Sequence, residues 1–244
     1  MRASLRWPRG VERYQVGTAR ARHRHFRAHA SVVLETGFLQ TGYAGRFRLE
    51  PGDILIQPTL DRHHSRTFPD RAARVLHLPW QFEPGLGGVH RVSGLDAVVR
   101  EAWRDPWQSS ALLADLIGSA APESPPIWDW PDLLAGELRK GPVEIAEWSM
   151  RHGLARESVA RGFHRTFGVS PTSFACELRA RRAWLRVIGG RDSLAGIAAD
   201  TGFADQSHMT RAIHTLTGAP PDAWRRRLPV SGEPGCEHRC PFDA

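Results

Sequence analysis

The C-terminal part of this chain repeats itself, and that repeat narrows its fold more than any other feature. Ile145, Trp148, Ser149, Gly153 and Leu154 recur as Leu194, Ile197, Ala198, Gly202 and Phe203, each forty-nine residues on. The first copy continues from Ala155 to Phe163. The second continues from Ala204 to Ile213 and is one residue longer, so that Val159 answers Met209, Arg161 answers Arg211 and Phe163 answers Ile213. Further on, Gly168-Val-Ser-Pro171-Thr-Ser-Phe174 answers Gly218-Ala-Pro-Pro221-Asp-Ala-Trp224. Two copies are too few for a helical solenoid, whose stacked core needs at least three. Each copy reads as a short amphipathic helix closed by glycine, the residue that tolerates the left-handed conformation at a helix end. A turn of a few residues and a second helix follow. That is helix-turn-helix organisation.

The second helix of each copy has an apolar stripe and a polar face. Val159 and Phe163, or Met209 and Ile213, form the stripe. The polar faces carry Arg156, Glu157, Ser158 and Arg161 in one copy and Gln206, Ser207, His208 and Arg211 in the other. A merely solvated helix face usually mixes Lys and Glu four residues apart. The second copy offers Gln, Ser, His and Arg instead, which are side chains that reach base edges and phosphates. Between the copies, Thr172–Ile188 reads as one helix with Phe174, Leu178, Leu185 and Ile188 on its apolar side. At 1.5 Å per residue it spans roughly 25 Å. A strut of that order can hold two recognition helices about one DNA turn, roughly 34 Å, apart.

The rest of the chain reads differently. Ser31–Leu34, Phe38–Tyr43, Arg46–Leu49, Ile54–Pro58 and Arg74–Trp80 are short strand-like runs. Turn signals such as Glu50-Pro-Gly-Asp53 separate them, so a sandwich or barrel is expected. Helical spacing returns at Leu95–Trp103 and Leu112–Ile117, broken near Pro106. Residues 118–131, rich in Pro and small side chains, read as a linker. The 244 residues carry a formal net charge of +7, which favours a polyanionic partner. The excess is spread along the chain and does not locate a site. Three cysteines, Cys176, Cys236 and Cys240, exclude a disulfide framework and suit a reducing cytoplasm. No apolar run reaches membrane-spanning length, so no membrane partner is expected.

Residues 132–228 resemble the DNA-binding domain of the AraC-type transcriptional regulators. Gly202-Phe-Ala-Asp-Gln-Ser-His-Met-Thr-Arg211, Phe167-Gly-Val-Ser-Pro171, and Gly218 with Pro221, Trp224 and Arg225 carry the resemblance. It implies that the second helix of each unit enters the major groove, so that one chain reads two successive segments of double-stranded DNA. By position, Glu157, Ala160 and Arg161 then face DNA from the first unit, and Gln206, Ser207, His208 and Arg211 from the second. Arg156 and Ser158 flank the first set. Arg165 and Arg179 are expected at phosphates. The family caps each recognition helix with Ser or Thr, whereas Ala155 and Ala204 are read at those places here. Ala160 is too short to read a base, so the first unit is expected to give phosphate contacts more than readout.

Residues 20–80 resemble, more loosely, the cupin-like sensor domains that precede such DNA-binding domains. His23-Arg-His25, Val33-Leu-Glu-Thr-Gly37, Arg46 to Asp53 and Asp61-Arg-His-His64 carry this likeness. The fold class expected is therefore a two-domain α+β chain. A cupin-like β-barrel with trailing helices fills 1–118, a linker 119–131, an all-α domain of two helix-turn-helix units joined by a linker helix 132–228, and a flexible tail 229–244. The resemblance implies a small-molecule effector in the barrel, near His25, His29 and His64. It also implies a homodimer through the trailing helices and contact with RNA polymerase if the chain is an activator. On one strand, His23, His25 and His29 would share a face by their period of two, with His63 or His64 across the barrel. The cupin metal set has a carboxylate about where His29 stands, so no metal and no cofactor is expected. Cys236 and Cys240 match no four-ligand site and read as part of an inert tail. The expected function is that of a cytoplasmic, non-enzymatic, sequence-specific transcriptional regulator. The alternative is a metal-dependent cupin enzyme or sensor to which the helical domain is secondary.

Overall fold

A computed structural model describes residues 10–81 and 87–227. The chain divides into two compact units near Leu133 and Leu134. Cys236, Cys240 and the expected tail lie outside the described residues.

The first unit is built on two antiparallel sheets. Its strands are β1 (Val11–Tyr14), β2 (Ala19–Arg24), β3 (His29–Glu35), β4 (Phe38–Gly42), β5 (Gly45–Leu49), β6 (Ile54–Gln57), β7 (Arg62–Thr67), β8 (Ala73–Pro79) and β9 (Gly88–His90). One sheet has five strands in the order β1-β8-β3-β6-β9, the other four in the order β2-β7-β4-β5. The expected barrel is thus realised as two sheets. Alternation along the central strands of the larger sheet sorts its side chains. Ala30, Val32, Ile54, Ile56, Leu76 and Leu78 pack on one face against Val98, Ala102, Leu113 and Ile117 of the helical segment that follows. Val33, Leu55 and Val75, on the other face, join Phe38, Phe47 and Leu49 of the smaller sheet. A sheet covered on both faces reads as near-continuous apolar runs, which is why β3, β6 and β8 were legible from sequence. β1, β7 and β9 were not expected, and β2 only as part of a single strand running from His23 to His29. β2 (Ala-Arg-Ala-Arg-His-Arg) and β7 (Arg-His-His-Ser-Arg-Thr) hold together by pairing with each other, His23 opposite His63 and Arg24 opposite Arg62.

The covering helices are α1 (Leu95–Glu101) and α2 (Pro106–Ile117). Asp105 caps α2, accepting from the amides of Trp107 at 2.8 Å and Gln108 at 3.2 Å, and Pro106 takes the first helical position, which needs no donor. The stretch read as a linker is not free of the first unit. Glu123 bridges Val89, donating its amide to the carbonyl at 2.7 Å, and its carboxylate meets Arg91 at 2.6 Å.

The second unit is helical. Helix α3 (Trp130–Lys140), starting two residues before the expected Asp132, leads into α4 (Ile145–Arg151), α5 (Arg156–Phe167), α6 (Pro171–Gly189), α7 (Leu194–Asp200), α8 (Gln206–Thr217) and α9 (Pro221–Arg227). Ser170 caps α6 with a 3.1 Å bond from the Ser173 amide, so the connecting helix runs one residue beyond each end of Thr172–Ile188. Its nineteen residues span about 28 Å. Among the described residues no helix is long and apolar enough to cross a membrane.

Candidate nucleic-acid interface

The two repeats fold alike down to their backbone hydrogen bonds. After α4, the Gly153 amide donates to Met150 at 3.1 Å and the Leu154 amide to Ser149 at 2.9 Å. After α7, the Gly202 amide donates to Ala199 at 3.1 Å and the Phe203 amide to Ala198 at 2.9 Å. This pair of bonds is the Schellman closure, and it needs a left-handed residue at its centre. Gly153 has φ 63° and Gly202 φ 76°. A side chain there would be strained, so these glycines fix the turn into each second helix.

The second helices then start in equivalent ways. The Val159 amide bonds the Ala155 carbonyl at 3.0 Å, and the Met209 amide bonds the Asp205 carbonyl at 3.2 Å. Ala155 and Asp205 are therefore the matching cap positions, and the extra residue of the second copy is Ala204. The expectation of an uncapped second unit is corrected here. The Asp205 carboxylate accepts from the His208 amide at 2.6 Å. Its negative charge also suits the positive end of α8. Only the first unit has alanine at the cap. The paired Ala155 and Ala204 misled because position was counted from the glycine, not from the first helical bond.

The packing leaves the expected polar faces open. Val159, Phe163, Met209 and Ile213 are fully buried. Arg156, Glu157, Ser158, Ala160, Arg161 and Arg165 are exposed on α5, as are Gln206, Ser207 and Arg211 on α8. Ser207 and Arg211 stand one turn apart on one face of α8, as Glu157, Arg161 and Arg165 do on α5. His208 differs. It is half-buried, with its ring edge-on to Phe203 at 5.2 Å. Arg179, expected at a phosphate, braces the second turn. Its Nη1 donates to the Gly202 carbonyl at 2.9 Å and its guanidinium lies 5.2 Å over the Phe203 ring. Arg186 ties α6 to both ends of α7 through Asp192 at 2.6 Å and Asp200 at 2.8 Å. In the first helix-turn-helix copy the anchor is Trp148, whose indole donates to Glu137 at 3.0 Å and stacks on His152 at 3.9 Å. The Asp205 cap, a bond between residues three apart, was missed by counting from the glycine, and the Arg179 and Arg186 braces were missed because each depends on where the chain returns.

Residues 148–227 match the family model described as Helix-turn-helix domain. This segment is a helix-turn-helix domain. The helix-turn-helix match takes in α5 to α9 and most of α4. No curated protein matches the chain significantly. Among solved structures, a probable AraC family transcriptional regulator from Rhodopseudomonas palustris is 20% identical, covering 39% of this chain and 94% of its own, with a TM-score of 0.36. The DNA-binding domain of AdpA, solved with a target DNA, is 17% identical over 41% of this chain and 92% of its own, with a TM-score of 0.37. ToxT from Vibrio cholerae, solved with an unsaturated fatty acid, is 11% identical over 94% of this chain and all of its own, also with a TM-score of 0.37.

In the first unit, the polar end of the space between the sheets holds a histidine cluster. His23, His25 and His63 offer ligand atoms that all lie within 4.8 Å of one another. The His25 ring lies 4.6 Å from that of His29, and the His29 ring 5.8 Å from that of His77. Two expectations change. His23, His25 and His29 do not share a strand: β2 ends at Arg24, β3 starts at His29, and the chain turns between. His63, not His64, completes the group, because adjacent residues of β7 point to opposite faces and register sets His63 opposite His23. Of the three histidines read for the effector pocket, His25 and His29 lie side by side, while His64 is on the other face of β7. Burial, followed by the neighbouring His63, lowers the pKa of His25 to about 4. Burial, followed by His25, lowers that of His29 to about 3. Beside them, His77 is engaged at both nitrogens, by Ser31 Oγ at 3.0 Å and Tyr14 Oη at 2.8 Å. Next to His77, Glu12 has its pKa lowered to about 2, first by its hydrogen bond to His77 and also by Arg20.

Proposed function

We propose that this chain is a sequence-specific, DNA-binding transcription regulator. The observation that carries the reading is the matched pair of glycine-closed helix-turn-helix units, each with an exposed polar second helix, joined by the unbroken helix α6. Arg211, Ser207 and Gln206 read base edges from α8. Arg161, with Glu157, approaches from α5, and Arg156, Ser158 and Arg165 contact phosphates and the groove edge. His208 stands at the rim, held by Phe203. The two helices address successive major-groove segments on one face of the duplex.

The first unit serves as the sensor, and a ligand taken up at its polar end biases the arrangement that binds DNA. Trp103, Trp107 and Leu116 are exposed along the segment of α1 and α2, which supports pairing of two copies there. Contact with RNA polymerase as an activator, a cytoplasmic location and the absence of enzymatic activity belong to the same reading.

The test is selection of the full chain against random duplex DNA, followed by titration of the enriched sequence and a shuffled one at two salt concentrations. The expected result is a motif of two half-sites about one helical turn apart, bound roughly a thousandfold more tightly than the shuffled duplex. Affinity should fall steeply with salt. No enrichment, with equal binding of both duplexes, would overturn the reading.

A further inference from the structure

The outer face of α5 carries a hollow ringed by basic side chains. An open cleft of about 570 Å³ is lined by Ala160, Arg161, His164, Arg165 and Ser170. Ala160 and His164 stand one helical turn apart, as do Arg161 and Arg165, so three basic groups surround a position filled only by a methyl group. Ser170 forms a fixed wall, its Oγ accepting from the Ser173 amide at 3.1 Å and donating to Ser173 Oγ at 2.9 Å. Other arginines of the helical domain are tied down. Arg151 and Arg186 meet carboxylates, and Arg179, Arg182 and Arg225 meet carbonyls. Arg161, His164 and Arg165 are exposed and have no hydrogen-bond or ion-pair partner among the described residues. Two arginines four residues apart repel and weaken the helix that bears them. That cost has no return within the domain, and an anion in the hollow reverses it. The second copy is an internal control. Its matching residues are Thr210, Arg211, His214, Thr215 and Pro220. Thr215 has no charge and its hydroxyl turns back to the Arg211 carbonyl at 2.9 Å. Pro220 has no hydroxyl at all. The basic triad is a feature of the first copy.

We propose that Arg161, His164 and Arg165 hold one phosphate group in the hollow over Ala160. A guanidinium fork pairs with two phosphate oxygens through parallel, charge-assisted hydrogen bonds. Two forks and an imidazole around one hollow supply donors from three sides, which suits the tetrahedral oxygens of a phosphate. A planar carboxylate presents its two oxygens on one side and leaves a donor unmet. The phosphate comes from the backbone of the duplex, and in this the inference rests on the DNA-binding reading. A free phosphate offers the same chemistry. Phosphate contacts fix a protein's register on DNA without reading sequence. The first copy therefore sets the register through the backbone, and α8 of the second copy reads the bases. Ala160 is too short for a base edge, and its shortness is what leaves room for the phosphate. The half-site under α5 tolerates base changes but not the loss of one backbone charge.

The experiment uses the full chain and the duplex enriched by selection, remade with a single uncharged methylphosphonate linkage at each backbone position in turn. The wild type is compared with Arg165→Gln and Ala160→Glu, both at exposed positions, and melting checks that each variant is folded. In the wild type one linkage of the half-site under α5 should weaken binding about tenfold, and in either variant by no more than about twofold, because a charge-assisted contact of that size is already gone. All other linkages should act alike on the three proteins. Arg165→Gln should also lower the salt slope by about one. Calorimetry of inorganic phosphate against chloride at equal ionic strength, without DNA, separates the two sources. Saturable binding that both variants lose assigns the cleft to free phosphate, and the linkage effect without it assigns the cleft to the duplex. Linkage losses that are the same in the wild type and both variants, together with no saturable phosphate binding, would overturn the proposal. If selection enriches no sequence, the DNA-binding reading fails by itself. The calorimetry then decides the cleft alone, with binding lost in both variants upholding it and no binding overturning it.

Discussion

The two helix-turn-helix units share a backbone and differ in what holds them. Both close their first helix with the same pair of amide bonds around a left-handed glycine. The second unit adds an aspartate cap on its recognition helix, a cation over its turn phenylalanine and two ion pairs from α6. The first has alanine at the cap and relies on buried Trp148 with its glutamate and histidine partners. A repeated backbone therefore does not mean equal pinning. The better-fixed helix is also the one with the richer set of base-reading side chains, as expected when readout needs preorganised donors.

The largest effects should come from the buried stripes that the two copies share. Phe163→Ala should cost about 3–5 kcal/mol and Ile213→Ala about 2–5 kcal/mol in urea unfolding of the full chain. A loss below about 1 kcal/mol at either site would show that the units are not packed alike, since a surface position costs no more than that. Next in size is recognition. Arg211→Ala should erase about 1–3 kcal/mol of discrimination between selected and shuffled DNA, whereas Arg161→Ala should weaken both and lower the salt slope by about one. Equal loss of discrimination from the two would break the asymmetry.

Capping gives a smaller and more pointed test. Asp205→Ala should destabilise by about 1 kcal/mol, and Ala155→Asp should stabilise by somewhat less. If Ala155→Asp leaves thermal melting unchanged, the shorter turn of the first unit does not let a side chain reach the free amides of α5. The smallest effect separates the cap-held helical unit from the sandwich, one end of which is held by a titrating network. Glu12 has a pKa of about 2 in the fold against an ordinary 4.5. A depressed carboxyl gives its full stabilisation above about pH 4.5 and loses it as pH falls toward 2. Glu12→Gln should therefore flatten the loss of stability in that window, measured by melting. An unchanged slope would remove Glu12 from the network.

What could be read from sequence follows the range of the forces involved. The helix-turn-helix units were legible because their bonds run between residues three to five apart, and glycines at 153 and 202 mark where those bonds must close. The apolar runs of β3, β6 and β8 were legible because both faces of their sheet are covered. The arginine- and histidine-rich strand β7 and the bounds of β2 were not, since nothing local fixes them and each strand is stabilised by the other forty residues away. The sequence by itself determined two equivalent helical units and the polar faces they present. Only the tertiary structure decided that Asp205 is a cap, that Arg179 braces a turn, and that His63 and not His64 meets His23 and His25. Capping depends on which amide lies free, and the cluster depends on strand register. A shift of one residue would turn His64 inward and dissolve it.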